Sequence, residues 1–249
     1  MAVLIQLSYS PWSLRARWAL DHHHVKYRAI EHVPMVFEPF LRASRAVLRA
    51  RSSDGKATVP TLIDGREVFN DSFAIAEHAE AVGSGAPLLP ADKLPQIRGW
   101  VGDIDRMLSA GRIRVLGRLA ADGPALDESV PPPLRFLGAA GRPIAKSAVQ
   151  FLERKYTKGA PSTGLAELEA RMADVLEKLE KAVASSEYLV GPFTFADITA
   201  ATAIEMVCPS DFSPLGPENR RVWTEEKLAA AYPRALAFRD RIYAAHRPS

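Results

Sequence analysis

Val3 to Leu7 is a nearly continuous apolar run and predicts a short central strand covered on both faces. The polarity changes after it. Ser10 stands as an N-cap with Pro11 at the first helical position, where a missing N–H costs nothing. Leu14, Trp18 and then Asp21-His22 recur at helical spacing and predict a helix from Pro11 to about His23. Tyr27 to His32 predicts a second strand. Val36 to Leu48, with Phe37, Phe40, Leu41 and Leu48 apolar, predicts a second helix or a loose helical turn. After the polar break RSSDGK come VPTLI and REVFN, joined by Asp64-Gly65, which is a hairpin signature. Asp71 then caps a helix reaching about Val82, with Phe73, Ile75, Ala76 and Ala79 on its apolar face. The predicted order is β-α-β-α-β-β-α.

GSGAPLLPADKLP, residues 83–95, is rich in Gly and Pro and reads as a linker. Beyond it there is no strand pattern. Helical periods run through about Gln96–Ala121, Leu134–Tyr156, Gly164–Ala184, Phe195–Val207 and Glu225–His246, the last broken near Pro233. The expectation is an α/β domain over 1–82 and an all-helical domain over 96–249.

Composition narrows the function classes. A hydrophobic content of 47% and a charged content of 24% belong to an ordinary globular chain. The net charge is +3, and residues 1–90 hold ten Lys/Arg against nine Asp/Glu, so neither part is a basic arm for nucleic acid. No apolar run approaches the roughly 20 residues of a membrane span. MAVLIQLSYS has no basic start and reads as a strand, not a signal peptide. The single cysteine, Cys208, excludes an intrachain disulfide and favours a reducing cytoplasm. His22, His23 and His24 are adjacent, so they cannot all face one metal from a helix, and no metal site is expected.

Three features carry candidate chemistry. A helix N-terminus presents unpaired N–H groups and a partial positive charge, which lower the pKa of a thiolate placed there. Ser10, at such a start, reads either as a plain cap or as a hydroxyl donating to that thiolate. Val59-Pro60 opens a strand; a cis bond would leave the backbone of Val59 free to pair with an extended peptide, and a trans bond would be a plain strand entry. Asp71-Ser72 opens a helix and reads either as simple capping or as a carboxylate subsite.

In this order the motifs resemble the glutathione S-transferase superfamily along the whole chain. SPWSLRARWAL, TVPTLIDG and FNDSFAIAEHAE are similar to its thioredoxin-like first domain, and YLVGPFTFADITAA to its helical second domain. Ser10-Pro11-Trp12-Ser13 is similar to the C-P-x-C of glutaredoxins with oxygen in place of both sulfurs. The resemblance implies that glutathione brings the sulfur and that Ser10 stabilises its thiolate, with Tyr9 and Ser13 as other thiol partners. It further implies Val59 beside Pro60 on the glutathione backbone, Asp71 and Ser72 on the γ-glutamyl end, and Lys56 on the glycyl carboxylate, with Arg42, Arg45 and Arg49 as helpers. Trp12, Ile104, Met107 and Phe212 are the expected pocket for a small electrophile. The implied protein is a cytoplasmic homodimeric glutathione transferase of detoxification type. A glutathione-dependent isomerase or dehalogenase, or a non-catalytic binding module, are its rivals. A thiol oxidoreductase is disfavoured, because neither residue 10 nor 13 is a cysteine. Thr194-Phe195-Ala196-Asp197 is a capping-box variant that serves folding.

Overall fold

The computed structural model describes residues 1–32, 49–51, 58–130, 132–157 and 164–247. β1 (Ala2–Gln6) is an inner strand, as its apolar run requires. It runs parallel to β2 (Tyr27–Glu31) on one side and antiparallel to β4 (Thr61–Asp64) on the other. β4 turns through Gly65, at φ 60°, into β5 (Glu67–Phe69), so the hairpin stands where Asp64-Gly65 predicts it. β3 (Arg49–Arg51) pairs parallel with β5 and completes a five-stranded sheet of order β2-β1-β4-β5-β3. This strand is a correction: the sequence pattern gives a polar break from Arg51. Three residues carrying two arginines on a sheet edge show neither alternation nor an apolar run. The helix expected over 36–48 lies outside the described residues.

α1 (Pro11–His22) and α2 (Ser72–Val82) set Ala16, Leu20, Ile75 and Ala79 against Leu4, Leu62 and Phe69 of the sheet. The other side of α1 faces a second core. There Trp18 and Ala19 pack with Ile97, Ile104 and Met107 of α3 (Leu94–Ala121) and with Phe195. Trp18 also donates from Nε1 to the His246 carbonyl at 3.1 Å and meets Tyr243 edge-on, with ring centroids 4.9 Å apart. Each such large apolar side chain contributes roughly 1.5–3 kcal/mol by leaving water. α1 is therefore clamped between the sheet and the helical region.

That region continues through α4 (Gly123–Glu128), α5 (Arg142–Thr157), α6 (Leu165–Ala182), α7 (Phe195–Ile204), α8 (Pro217–Trp223), α9 (Glu226–Ala231) and α10 (Pro233–His246). The helix expected over 134–156 is divided: a 3-10 segment, Pro132–Gly141, precedes α5, and Gly138 breaks it at φ 52°. α4 and α8 are too short to announce themselves by periodicity. The α9–α10 break falls at Pro233, where the ring lacks the N–H that a continuous helix needs. Among the described residues no helix is long and apolar enough to cross a membrane.

Every residue of α7 is buried, so its start must satisfy its own polar groups. The Asp197 carboxylate does this, accepting from Thr194 N–H and Leu189 N–H, both at 2.8 Å, and from the Thr194 hydroxyl at 3.0 Å. Asp197→Ala strands those donors, and the expected loss is about 2–4 kcal/mol, read as a lower urea midpoint. An unchanged midpoint would show that the capping network contributes nothing.

Candidate functional site

The turn from β1 into α1 aims the first N–H groups of the helix outward. Ser10 N–H donates to the Leu7 carbonyl at 2.9 Å, and the Ser10 carbonyl accepts from Leu14 N–H at 2.8 Å. The Ser10 hydroxyl makes no cap bond to its own helix and is half-buried, so it remains available to a ligand. Ser13 has the opposite fate. It is wholly buried, and its Oγ accepts from Leu7 N–H at 3.2 Å, fastening the turn from within. This corrects its assignment as a thiol partner. Tyr9 meets Trp223 edge-on, with centroids 5.8 Å apart. Burial, aided by the charge of Glu31, pushes its phenol up to about 12, so it stays protonated at neutral pH.

The head of α2 forms the second corner. Asp71 caps the helix, its Oδ1 accepting from Ala74 N–H at 2.7 Å. Ser72 is 1% exposed, and its Oγ accepts from Arg15 Nε at 2.6 Å. Arg15, itself only 2% exposed, also donates from Nη2 to Asp105 Oδ1 at 2.8 Å, while Nη1 is buried without a partner. A buried positive charge therefore stands directly behind the Ser72 hydroxyl. Its proton is left free to donate, because a hydroxyl that accepts from one partner can still give to another. The Val59–Pro60 bond is cis. The ladder between β1 and β4 begins at Thr61, so Val59 takes no part in it. The Thr61 hydroxyl donates to the Thr58 carbonyl at 2.6 Å and holds this corner together. Lys56, Arg42 and Arg45 lie outside the described residues, and Arg49 is placed in β3 by its backbone.

Only one of the four expected pocket residues lines this side. Trp12 donates from Nε1 to Asp105 Oδ1 at 3.0 Å, and the Arg112 guanidinium lies 4.9 Å from its ring centroid. Arg112 lies 3.4 Å from the Tyr156 ring as well, and burial lowers its affinity for the proton. Ile104 and Met107 are corrected to core: each is 1% exposed on the α3 face that meets Trp18 and Phe195. Asp105 and Arg112, two helical turns apart, take the α3 face toward Trp12. Phe212 is also corrected. It is 51% exposed and stacks on Tyr243 beside Trp18, about 12 Å along α1 from Ser10.

The sequence pattern thus misses Arg15, Asp105, Arg112, Tyr156 and Trp223. Arg15 had a legible signal, a charge between Leu14 and Ala16 on a helix with little polar face. The others share the site only through tertiary packing. Among the described residues no group of His, Cys, Asp or Glu could hold a metal ion.

Residues 9–82 match the family model described as glutathione S-transferase, N-terminal domain. Solved structures extend the likeness to the whole chain. A glutathione S-transferase from Methylobacterium radiotolerans, in complex with glutathione sulfonate, is 17% identical with a TM-score of 0.62, covering 98% of this chain and 91% of its own. A β-etherase from Sphingobium is 18% identical with a TM-score of 0.58, covering 98% and 95%. A glutathione S-transferase from Methylobacillus flagellatus, with glutathione bound, is 14% identical with a TM-score of 0.58, again covering 98% and 95%. No curated protein matches the sequence. Residues 9–82 thus match a glutathione S-transferase N-terminal domain, and the chain as a whole, a thioredoxin-like sheet with its helices followed by a helical region, shares the fold of these structures.

Proposed function

We propose that this protein is a glutathione transferase in which Ser10 stabilises the thiolate of bound glutathione. The observation that carries the reading is a half-buried hydroxyl at the positive end of α1 that caps nothing. The tripeptide lies along the sheet end. Its backbone pairs with Val59, its γ-glutamyl carboxylate takes the Ser72 N–H and O–H, and Lys56 serves the glycyl carboxylate. Asp71, with Oδ1 committed to its helix, offers the other carboxylate oxygen to the γ-glutamyl ammonium.

The chemistry needs no protein nucleophile. The thiol proton leaves to solvent, the sulfur attacks an electrophilic carbon in the space beside Trp12, and the leaving group departs with its electron pair. A hydrogen bond to a charged sulfur is worth about 1.5–3 kcal/mol, which is roughly one to two pKa units. Tyr9, protonated and beside the same turn, supplies polarity but no base.

Ser10→Ala is expected to raise the pKa of enzyme-bound glutathione by about one to two units, followed by ultraviolet thiolate absorbance. Ser13→Ala, which alters only the buried turn, should leave that pKa in place; equal values in wild type and Ser10→Ala would remove Ser10 from the mechanism. Calorimetry should show Ser72→Ala weakening glutathione by about tenfold. Absence of heat with the wild type at about millimolar glutathione would favour a binding module without this cofactor. In the pH–rate profile one rising limb belongs to the glutathione thiol. Because the Tyr9 pKa is raised to about 12, no second ionisation should enter below about pH 10; one lost in Tyr9→Phe would contradict its placement.

A further inference from the structure

Arg112 differs from the other withdrawn arginines of this chain. Arg15 meets Asp105, Arg114 meets Glu225 and Glu169, and Arg239 meets Asp240. Arg112 makes no hydrogen bond or ion pair among the described residues, and its Nε is buried without a partner. Its guanidinium is held by ring faces, Tyr156 at 3.4 Å and Trp12 at 4.9 Å. Cation–π contact offsets part of the cost of removing a cation from water, but it gives the N–H fork no acceptor among the described residues. The nearby Asp105, whose Oδ1 accepts from Trp12 and Arg15, makes no hydrogen bond to the fork, and its charge acts on Arg112 only through space. A planar fork with free donors fits a carboxylate, which it takes in bidentate fashion.

The surroundings give the rest of the ligand. Trp12 is two residues beyond Ser10, within the first turn of α1, so Arg112 stands at the N-terminal end of that helix. Tyr156 and Trp12 supply aromatic surface against it. We infer that Arg112 is the anion-binding residue of the second-substrate pocket, and that the electrophile is an aromatic molecule carrying a carboxylate. The inference rests on the glutathione reading only for the reacting sulfur; the anion site stands without it. With a benzylic chloride the reaction balances simply: the C–S bond forms, the C–Cl bond breaks, chloride leaves with the pair and the thiol proton passes to solvent.

The test has a binding arm and a turnover arm. Without glutathione, para-nitrobenzoate should bind the wild type about tenfold more tightly than neutral para-nitrobenzamide, read by quenching of tryptophan fluorescence. Arg112→Met should abolish that preference, and Arg112→Lys, which keeps charge but not the fork, should retain part of it. Equal affinities in the wild type, a measurement that needs no variant, would overturn the inference. So would a preference that survives in Arg112→Met, or displacement of para-nitrobenzoate by S-methylglutathione, which would give Arg112 to the tripeptide. With glutathione present, para-(chloromethyl)benzoate should exceed the matching benzamide in kcat/KM by about the same factor. A binding preference with no turnover of either chloride supports the anion site and counts against the transferase reading alone.

Discussion

One buried arginine joins the parts of this molecule on which the rest depends. Arg15 reaches from the middle of α1 to the Ser72 hydroxyl at the head of α2 and to Asp105 on α3. It thereby connects the sheet side of the structure to the helical region and ties the middle of α1 to the head of α2. Removing one partner from a buried charge pair costs about 3–5 kcal/mol, because the remaining charge is left uncompensated. Part of that cost here is carried at Asp105, which is partly solvated. The geometry of Ser72 is therefore set by the interface between sheet and helices, not by α2 alone.

Three serines show how position decides what a hydroxyl does. Ser13 is consumed inside the β1–α1 turn, Ser72 is polarised by a buried cation, and Ser10 makes no cap bond to its own helix. Ser10 and Ser13 are separated by a single helical turn and share a motif, yet one lies at the helix mouth and the other in the core. Unanswered polar groups in a folded interior ask for an explanation. Here Arg112 of α3 stands over Trp12, two residues along α1 from Ser10.

How much of this was legible in the sequence depends on the range of the interaction. The α1 start at Ser10-Pro11, the Asp64-Gly65 hairpin, the Asp71 cap and the Thr194–Asp197 network are written in neighbouring residues, and each stands where its local chemistry predicts. β3 was hidden because an edge strand of three residues has no period, and the Gly138 break because a glycine in a helical pattern reads as tolerated. Ile104 and Met107 share α3 with Asp105, and one turn of phase decides which of them faces the core; amphipathic spacing on so long a helix did not fix that phase. Arg112 reaches Trp12 and Tyr156 across separations of 100 and 44 residues, which no local pattern encodes.

A crystal structure with glutathione bound is the most direct measurement. The account predicts the sulfur within hydrogen-bond distance of Ser10 Oγ, the γ-glutamyl carboxylate on Ser72 in front of Arg15, and the tripeptide backbone paired with Val59. Density with the sulfur directed at Tyr9 and away from Ser10, or with the cleft closed by the protein's own side chains, would contradict it.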